Sequence, residues 1–152
     1  MLKLQKPQDL LDHIGEELGT SGWQRIDQRE LDLFSEATRH VTWLHNDPER
    51  CKTESPTGTT LVQGFLTLGM LTGVLHEVLD IAEAGRWINY GLDRIRFPAA
   101  LPVGGEVRTH FKLIEAEPAA GGGVKFRLAC TTEIKGADKP AMSAEFLSIV
   151  YE

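Results

Sequence analysis

The chain has 152 residues, 41% of them hydrophobic, enough for one core in a single domain spanning residues 1–152. Its 16 Lys and Arg against 22 Asp and Glu give a formal charge of −6, which excludes a broad basic surface for nucleic acid or anionic lipid. The start, Met1-Leu-Lys-Leu-Gln-Lys-Pro7, lacks the apolar stretch of a secretory signal, and the most apolar run, Leu61–Leu79, is interrupted by Gln63, Thr67, Thr72, His76 and Glu77. Neither a leader nor membrane insertion is expected, so Cys51 and Cys130 read as free thiols of a cytoplasmic protein.

Pro7–Leu18 reads as a short amphipathic helix, with Pro7 suited to the first helical position and Gly19 as the stop. Gly22–Ile26 is extended. Asp27 followed by Glu30 is a capping-box signature, and Leu31, Phe34, Ala37 and Thr38 form the predicted inner face of the next helix. Arg39–Asp47 is a polar, aromatic loop, Pro48 restarts a brief helix through Lys52, and Thr53–Thr59 is rich in turn formers. Thr60–Ala82 is the longest helical pattern, with Leu61, Phe65, Leu68, Leu71, Leu75 and Leu79 at helical spacing. Val62, Met70, Val74 and Val78 widen the stripe until the helix needs burial on most sides.

The texture changes after Arg86. Trp87–Phe97, Gly105–Glu117, Val124–Ile134 and Ala141–Tyr151 are rich in β-branched and aromatic residues and are separated by Pro- and Gly-containing turns. Strands joined by short turns predict an antiparallel sheet, and a sheet with one long buried helix is an α+β layer architecture. Arg94, Arg96 and Arg108 could meet a phosphate, but their plainer role is to solvate strand faces.

His40 and His45 stand five residues apart in the predicted loop, ahead of Leu61-Val-Gln63-Gly64-Phe65, where a helix start carries a glycine. A polar pair facing a helix N-terminus can polarise a carbonyl and move a proton beside it. Three blocks carry a resemblance to a known family. They are Gly19-Thr-Ser-Gly-Trp23 with Asp27-Gln-Arg-Glu-Leu31, Phe34–Arg50 with Gln63-Gly-Phe-Leu-Thr-Leu68, and Ile88–Pro98 followed by Pro102-Val-Gly104. In this order they resemble the nodulation-protein-N branch of the MaoC-like acyl-CoA hydratases and dehydratases. The resemblance implies a hotdog fold, in which an antiparallel sheet wraps a long central helix. It also implies a homodimer with acyl-CoA sites near the subunit interface.

The family reaction adds water to a trans-2-enoyl thioester to give the (R)-3-hydroxyacyl product, without metal or redox cofactor. An aspartate and a histidine hold the water, and a backbone N–H at the helix start polarises the thioester carbonyl. Carried over by position, His45 matches the catalytic histidine and Gly64 the N–H donor. Thr72 keeps a hydroxyl where relatives carry serine. Gln63 replaces a residue that is often histidine, and Asn89 and Tyr90 fall where the acyl tunnel is lined. His40 stands where the family has aspartate. A neutral imidazole accepts through one nitrogen only, so a His40/His45 pair would need one ring as base and the other as acid.

Plainer readings stand beside these. Gly64 could be a packing glycine, Thr72 could bond back to its own helix, and Trp43 could be core. Asp47 before Pro48 is an N-cap. His13, His76 and His110 carry no assigned role, and His40 with His45 lack a third ligand for a metal. The His40 exchange leaves open a non-catalytic acyl-thioester binder on the same scaffold. A thioesterase is less favoured, because Leu61–Leu71 holds no acidic residue.

Overall fold

In the computed structural model, which describes Met1–Glu152, strand β1 (Leu2–Leu4) is followed by a 3-10 helix (Pro7–His13) and strands β2 (Glu17–Thr20) and β3 (Gln24–Arg25). Helices α1 (Gln28–Thr38), α2 (Trp43–Asn46) and α3 (Pro48–Glu54) come next, then α4 (Gly64–Gly69) and α5 (Leu71–Leu75). The chain ends in strands β4 (Leu79–Ile81), β5 (Arg86–Arg96), β6 (Glu106–Ala119), β7 (Gly123–Ile134) and β8 (Met142–Tyr151).

The main sheet runs β2-β6-β7-β8-β5, with β3 also on β6, and every pairing in it is antiparallel. Strict alternation fixes its two faces. Val124, Phe126, Leu128 and Cys130 of β7, and Met142, Ala144, Phe146 and Val150 of β8, point into the core. Their neighbours Arg127, Glu145 and Leu147 lie on the outer face, where Arg127 donates to Asp93, Glu115 and Glu145. The core is closed by α4 and α5, which lay Leu68, Leu71, Val74 and Leu75 onto Phe111, Leu128 and Phe146. A second apolar cluster, Ile26, Leu31, Val62, Leu101, Val107 and Ala141, sits under α1.

The four predicted long strands all form. The helix expected over Thr60–Ala82 is shorter. Thr60–Gln63 is extended, held by Val62 N–H to Leu101 O at 2.8 Å, and helix runs only from Gly64 to Leu75. Met70 divides it into α4 and α5, yet keeps helical dihedrals and accepts from Val74 N–H at 3.1 Å. Leu79–Ile81 leaves the helix to pair in parallel with Leu2–Leu4. Val62 at one end and Leu79 at the other continue the apolar spacing of the helix, so the pattern does not separate helix from strand at its ends. Pro7–Leu18 is likewise helical only to His13 and becomes β2 by Glu17. In α1, Leu31 and Ser35 are the buried pair, whereas Ala37 and Thr38 are exposed. Strand β5 does not pair with β6, its successor, but crosses to the far edge beside β8. No helix is long and apolar enough to cross a membrane.

His110 gains partners across the sheet that its sequence neighbours could not announce. Its Nδ1 meets Thr20 Oγ1 at 2.9 Å and its Nε2 meets Glu133 Oε2 at 3.1 Å, while Arg108 also donates to Glu133. The hydrogen bond from His110 is the main cause that holds the Glu133 carboxyl below the usual range, and Arg108 adds to it. A carboxylate with a lowered folded-state pKa stabilises the fold above its unfolded pKa and loses that contribution as pH falls. The stability gap between wild type and Glu133→Gln is therefore expected to close as pH drops from about 5 toward 3. Denaturant midpoints across that range check it.

Candidate active site

The α1–α2 junction is shaped by local backbone. Arg39 ends α1 in the left-handed region at φ 58°, and His40 N–H donates back to Ser35 O at 3.1 Å. This turns the chain so that His40 and Val41 are exposed and α2 follows at once. The predicted loop thus contains one helical turn, and His45 lies within it. Asp47 caps α3 as expected, accepting from Arg50 N–H at 3.0 Å. Cys51 packs beneath α2 with its thiol on the carbonyl of Trp43 at 3.5 Å, and burial pushes that thiol up. It is a packing group, not an exposed nucleophile.

His45 Nδ1 lies 2.7 Å from the carbonyl oxygen of Leu61. A carbonyl can only accept, so Nδ1 carries the proton and a neutral His45 keeps its lone pair on Nε2. The His40 ring stands edge-on, with centroids 6.1 Å apart, and its nitrogens make no hydrogen bond within the chain. Three residues beyond Leu61, α4 begins. The N–H groups of Gly64 and Phe65 have no acceptor in the chain, because a helix leaves its first donors unpaired.

Phe97 covers Gly64. A Cβ built on Gly64 would lie 2.9 Å from the Phe97 ring, so the glycine is required by space and not by backbone conformation. Phe97 meets Phe65 at 6.0 Å between centroids, and Phe65 remains 69% exposed. Phe65 then lines a groove of about 310 Å³ with Leu68, Thr72, Asn89, Leu92 and Phe146. Thr72 and Asn89 are thus brought together. The Thr72 hydroxyl also reaches Gly69 O in its own helix at 3.4 Å. Tyr90 is not in this group; a bulge between Asn89 and Gly91 leaves it exposed, with its ring under Lys125 Nζ at 5.9 Å.

Gln63 faces the other way. It is buried, and its Nε2 donates to Leu31 O at 3.1 Å and to Ser35 Oγ at 2.9 Å, so its amide nitrogen holds α1. Its Oε1 has no partner within the chain. No three His, Cys, Asp or Glu side chains converge on one point. Sequence reasoning missed Gln28, Asp32, Ser35, Asn46 and Thr60, which hydrogen-bond around α2. The first three recur at positions i, i+4 and i+7 of α1. That polar stripe beside Leu31 was the available signal.

Residues 9–130 match the family described as MaoC like domain. The chain belongs to the MaoC-like dehydratase family. It is 41% identical over 137 residues to 3-hydroxyacyl-thioester dehydratase Z of Mycobacterium tuberculosis, covering 90% of each chain. It is 37% identical over 143 residues to Nodulation protein N of Rhizobium leguminosarum bv. viciae, covering 93% of this chain and 89% of that one. Among solved structures, the (R)-hydratase from A. caviae involved in PHA biosynthesis superposes with a TM-score of 0.71 at 18% identity, over 89% of this chain and 94% of that one. The fold is the hotdog fold of those neighbours, as the MaoC-like resemblance implied.

The packing of Phe97 on Gly64 is testable without an activity assay. Gly64→Ala is expected to cost about 1 kcal/mol by overpacking, and most of that cost should vanish in a Phe97→Ala background. Denaturant unfolding of the four-member cycle reads the coupling. No coupling would mean that the ring is not what keeps position 64 a glycine.

Proposed function

We propose that this MaoC-like protein is an acyl-thioester hydratase, acting also in the dehydrating direction. It would add water across a trans-2-enoyl-CoA to give the (R)-3-hydroxyacyl thioester. One observation carries the reading: His45 has Nδ1–H committed to Leu61 O, three residues before the free N–H of Gly64, which leaves Nε2 as a base beside His40. In this scheme Nε2 takes a proton from water, the water oxygen bonds to C3, and the C2–C3 π electrons move toward the thioester. The developing oxyanion accepts from Gly64 N–H. The proton on His45 then passes to C2, so one H and one OH are added and both rings end as they began.

His40 orients the water through one nitrogen where a carboxylate would offer two oxygens. The acyl chain follows the groove of Phe65, Leu68, Thr72 and Asn89, with Gln63 acting behind the site on α1 rather than on the acyl group. Tyr90 contacts the ligand, on this reading, only from a neighbouring subunit. Two unpaired, buried cysteines fit a cytoplasmic setting.

Loss of enoyl absorbance with crotonyl-CoA tests the reaction. Wild type is expected to turn over, and His45→Ala to lose at least ~100-fold, the scale of a positioned general base. Unchanged turnover in that variant removes His45 from the chemistry. His40→Asp should raise the rate. The His40 exchange also supports a second reading, a non-catalytic acyl-thioester binder, and that reading requires an inactive wild type; activity appearing in His40→Asp would then mean that the site geometry survives, and none that the pocket is more widely remodelled.

The same reading includes a homodimer built on β5. Its eleven residues form an edge strand with one side unpaired, and Leu92, Phe97 and Phe65 are exposed around it. Such an edge invites a second copy, and pairing two would continue the sheet across a two-fold axis. Sedimentation should give twice the chain mass, and Leu92→Glu should shift it to the monomer. A monomeric wild type overturns the assembly.

A further inference from the structure

We infer that Gln28 is a positioning residue that fixes both the place and the tautomer of His45, through a closed ring of hydrogen bonds that also passes through Thr60. The inference rests on the reading of His45 as the group that meets water. Gln28 opens α1. One N–H of its amide donates to the main-chain carbonyl of His45 at 2.7 Å, and the other to Asp32 Oδ1 at 2.9 Å. Its carbonyl oxygen accepts from Thr60 Oγ1 at 2.6 Å. Both N–H donors and the carbonyl oxygen of the amide are engaged, and His45 O can only accept, so the amide has one orientation.

Thr60 is fully buried, and the next residue, Leu61, supplies the carbonyl that takes His45 Nδ1–H at 2.7 Å. The path therefore runs from Gln28 to the His45 backbone, through its ring to Leu61, back one residue to Thr60, and to Gln28 again. Leu61 N–H to Leu44 O at 3.0 Å straps the same two segments. A second strand of bonds braces the ring from behind. Gln63 Nε2 donates to Ser35 Oγ, Ser35 Oγ to Asn46 Oδ1 at 2.9 Å, and Asn46 Nδ2 to Asp32 Oδ1 at 2.9 Å. Asp32 thus gathers amides from both strands.

The chemical consequence is specific. An imidazole free to rotate exchanges between Nδ1–H and Nε2–H forms, and only the first presents a lone pair at Nε2. Anchoring the His45 main chain through Gln28 and the Leu61 carbonyl through Thr60 keeps Nδ1 on its acceptor. Gln28 and Thr60 never touch the reacting atoms; they act through His45.

The test reads the tautomer directly. Long-range proton–nitrogen spectra of the histidine rings, with the His45 signals assigned by their loss in His45→Ala, should show the Nδ1–H form in wild type. Gln28→Leu and Thr60→Val should both shift His45 toward a mixture, and Thr60→Ser, which keeps the hydroxyl, should restore the wild-type form. In the crotonyl-CoA assay the first two variants should lose about tenfold in kcat with KM little changed, as expected for misorientation. An unchanged His45 spectrum in folded Gln28→Leu and folded Thr60→Val overturns the inference. If wild type hydrates no enoyl thioester, the functional reading fails by itself, and the tautomer spectra still decide the role of Gln28.

Discussion

The extended segment Thr60–Gln63 is the joint on which the molecule turns. It is bonded on one side to the helical region, through Leu61 N–H to Leu44 O and Leu61 O from His45 Nδ1. On the other side it is bonded to the connection before β6, through Val62 N–H to Leu101 O and Val103 N–H to Thr60 O at 2.9 Å. The N–H groups of Leu61 and Val62 and the carbonyls of Thr60 and Leu61 all find partners, and each such group left unpaired in a largely buried segment would cost about 1–3 kcal/mol. Pairing on both sides therefore locks α2, the start of α4 and the sheet connection into one unit. Gly64 follows at once, so the position of its N–H relative to His45 is inherited from this pairing and not from any flexible loop.

The sheet was legible because its residues obey a period of two over ten or more positions, and burial on one face leaves no other register. Phe126, Leu128 and Cys130 alternate with Lys125, Arg127 and Ala129 so regularly that only the strand ends were open. The helix ends were not legible for the opposite reason. Leu79 continues the four-residue spacing of Leu71 and Leu75, and what makes Leu79–Ile81 a strand is β1, which lies at the other end of the chain. The same nonlocality hid the pairing of β5 with β8 and the contacts of His110 with Thr20 and Glu133.

The two histidines stood out by spacing and by family likeness, but the polar groups that hydrogen-bond around His45 did not. Gln28, Asp32 and Ser35 read as ordinary polar residues of an exposed helix until α2 folds back over them. Ser35 is 1% exposed although it falls outside the apolar stripe. Gln63, too, is held by contacts that lie far from it in sequence. Its amide nitrogen makes two bonds to α1, which offset the cost of a carbonyl oxygen left without a partner in the chain. A shorter or apolar side chain would remove the orphan oxygen, yet it would also leave Leu31 O and Ser35 Oγ without that donor.

His40 and His45 are chemically the same group placed in unlike surroundings. His45 is partly buried, bonded at its main chain and at Nδ1, and so offers one nitrogen in one direction. His40 follows a left-handed residue on an exposed turn, and neither of its nitrogens is committed within the chain. It can therefore donate from one nitrogen and accept at the other, in either order. A carboxylate at that position could only accept, and would carry a fixed charge beside the imidazole. Histidine there lacks that charge but offers a donor, so a water held between the rings would receive a hydrogen bond as readily as it gives one. The asymmetry between the two rings is thus set by the hydrogen bonds around His45 and not by residue type.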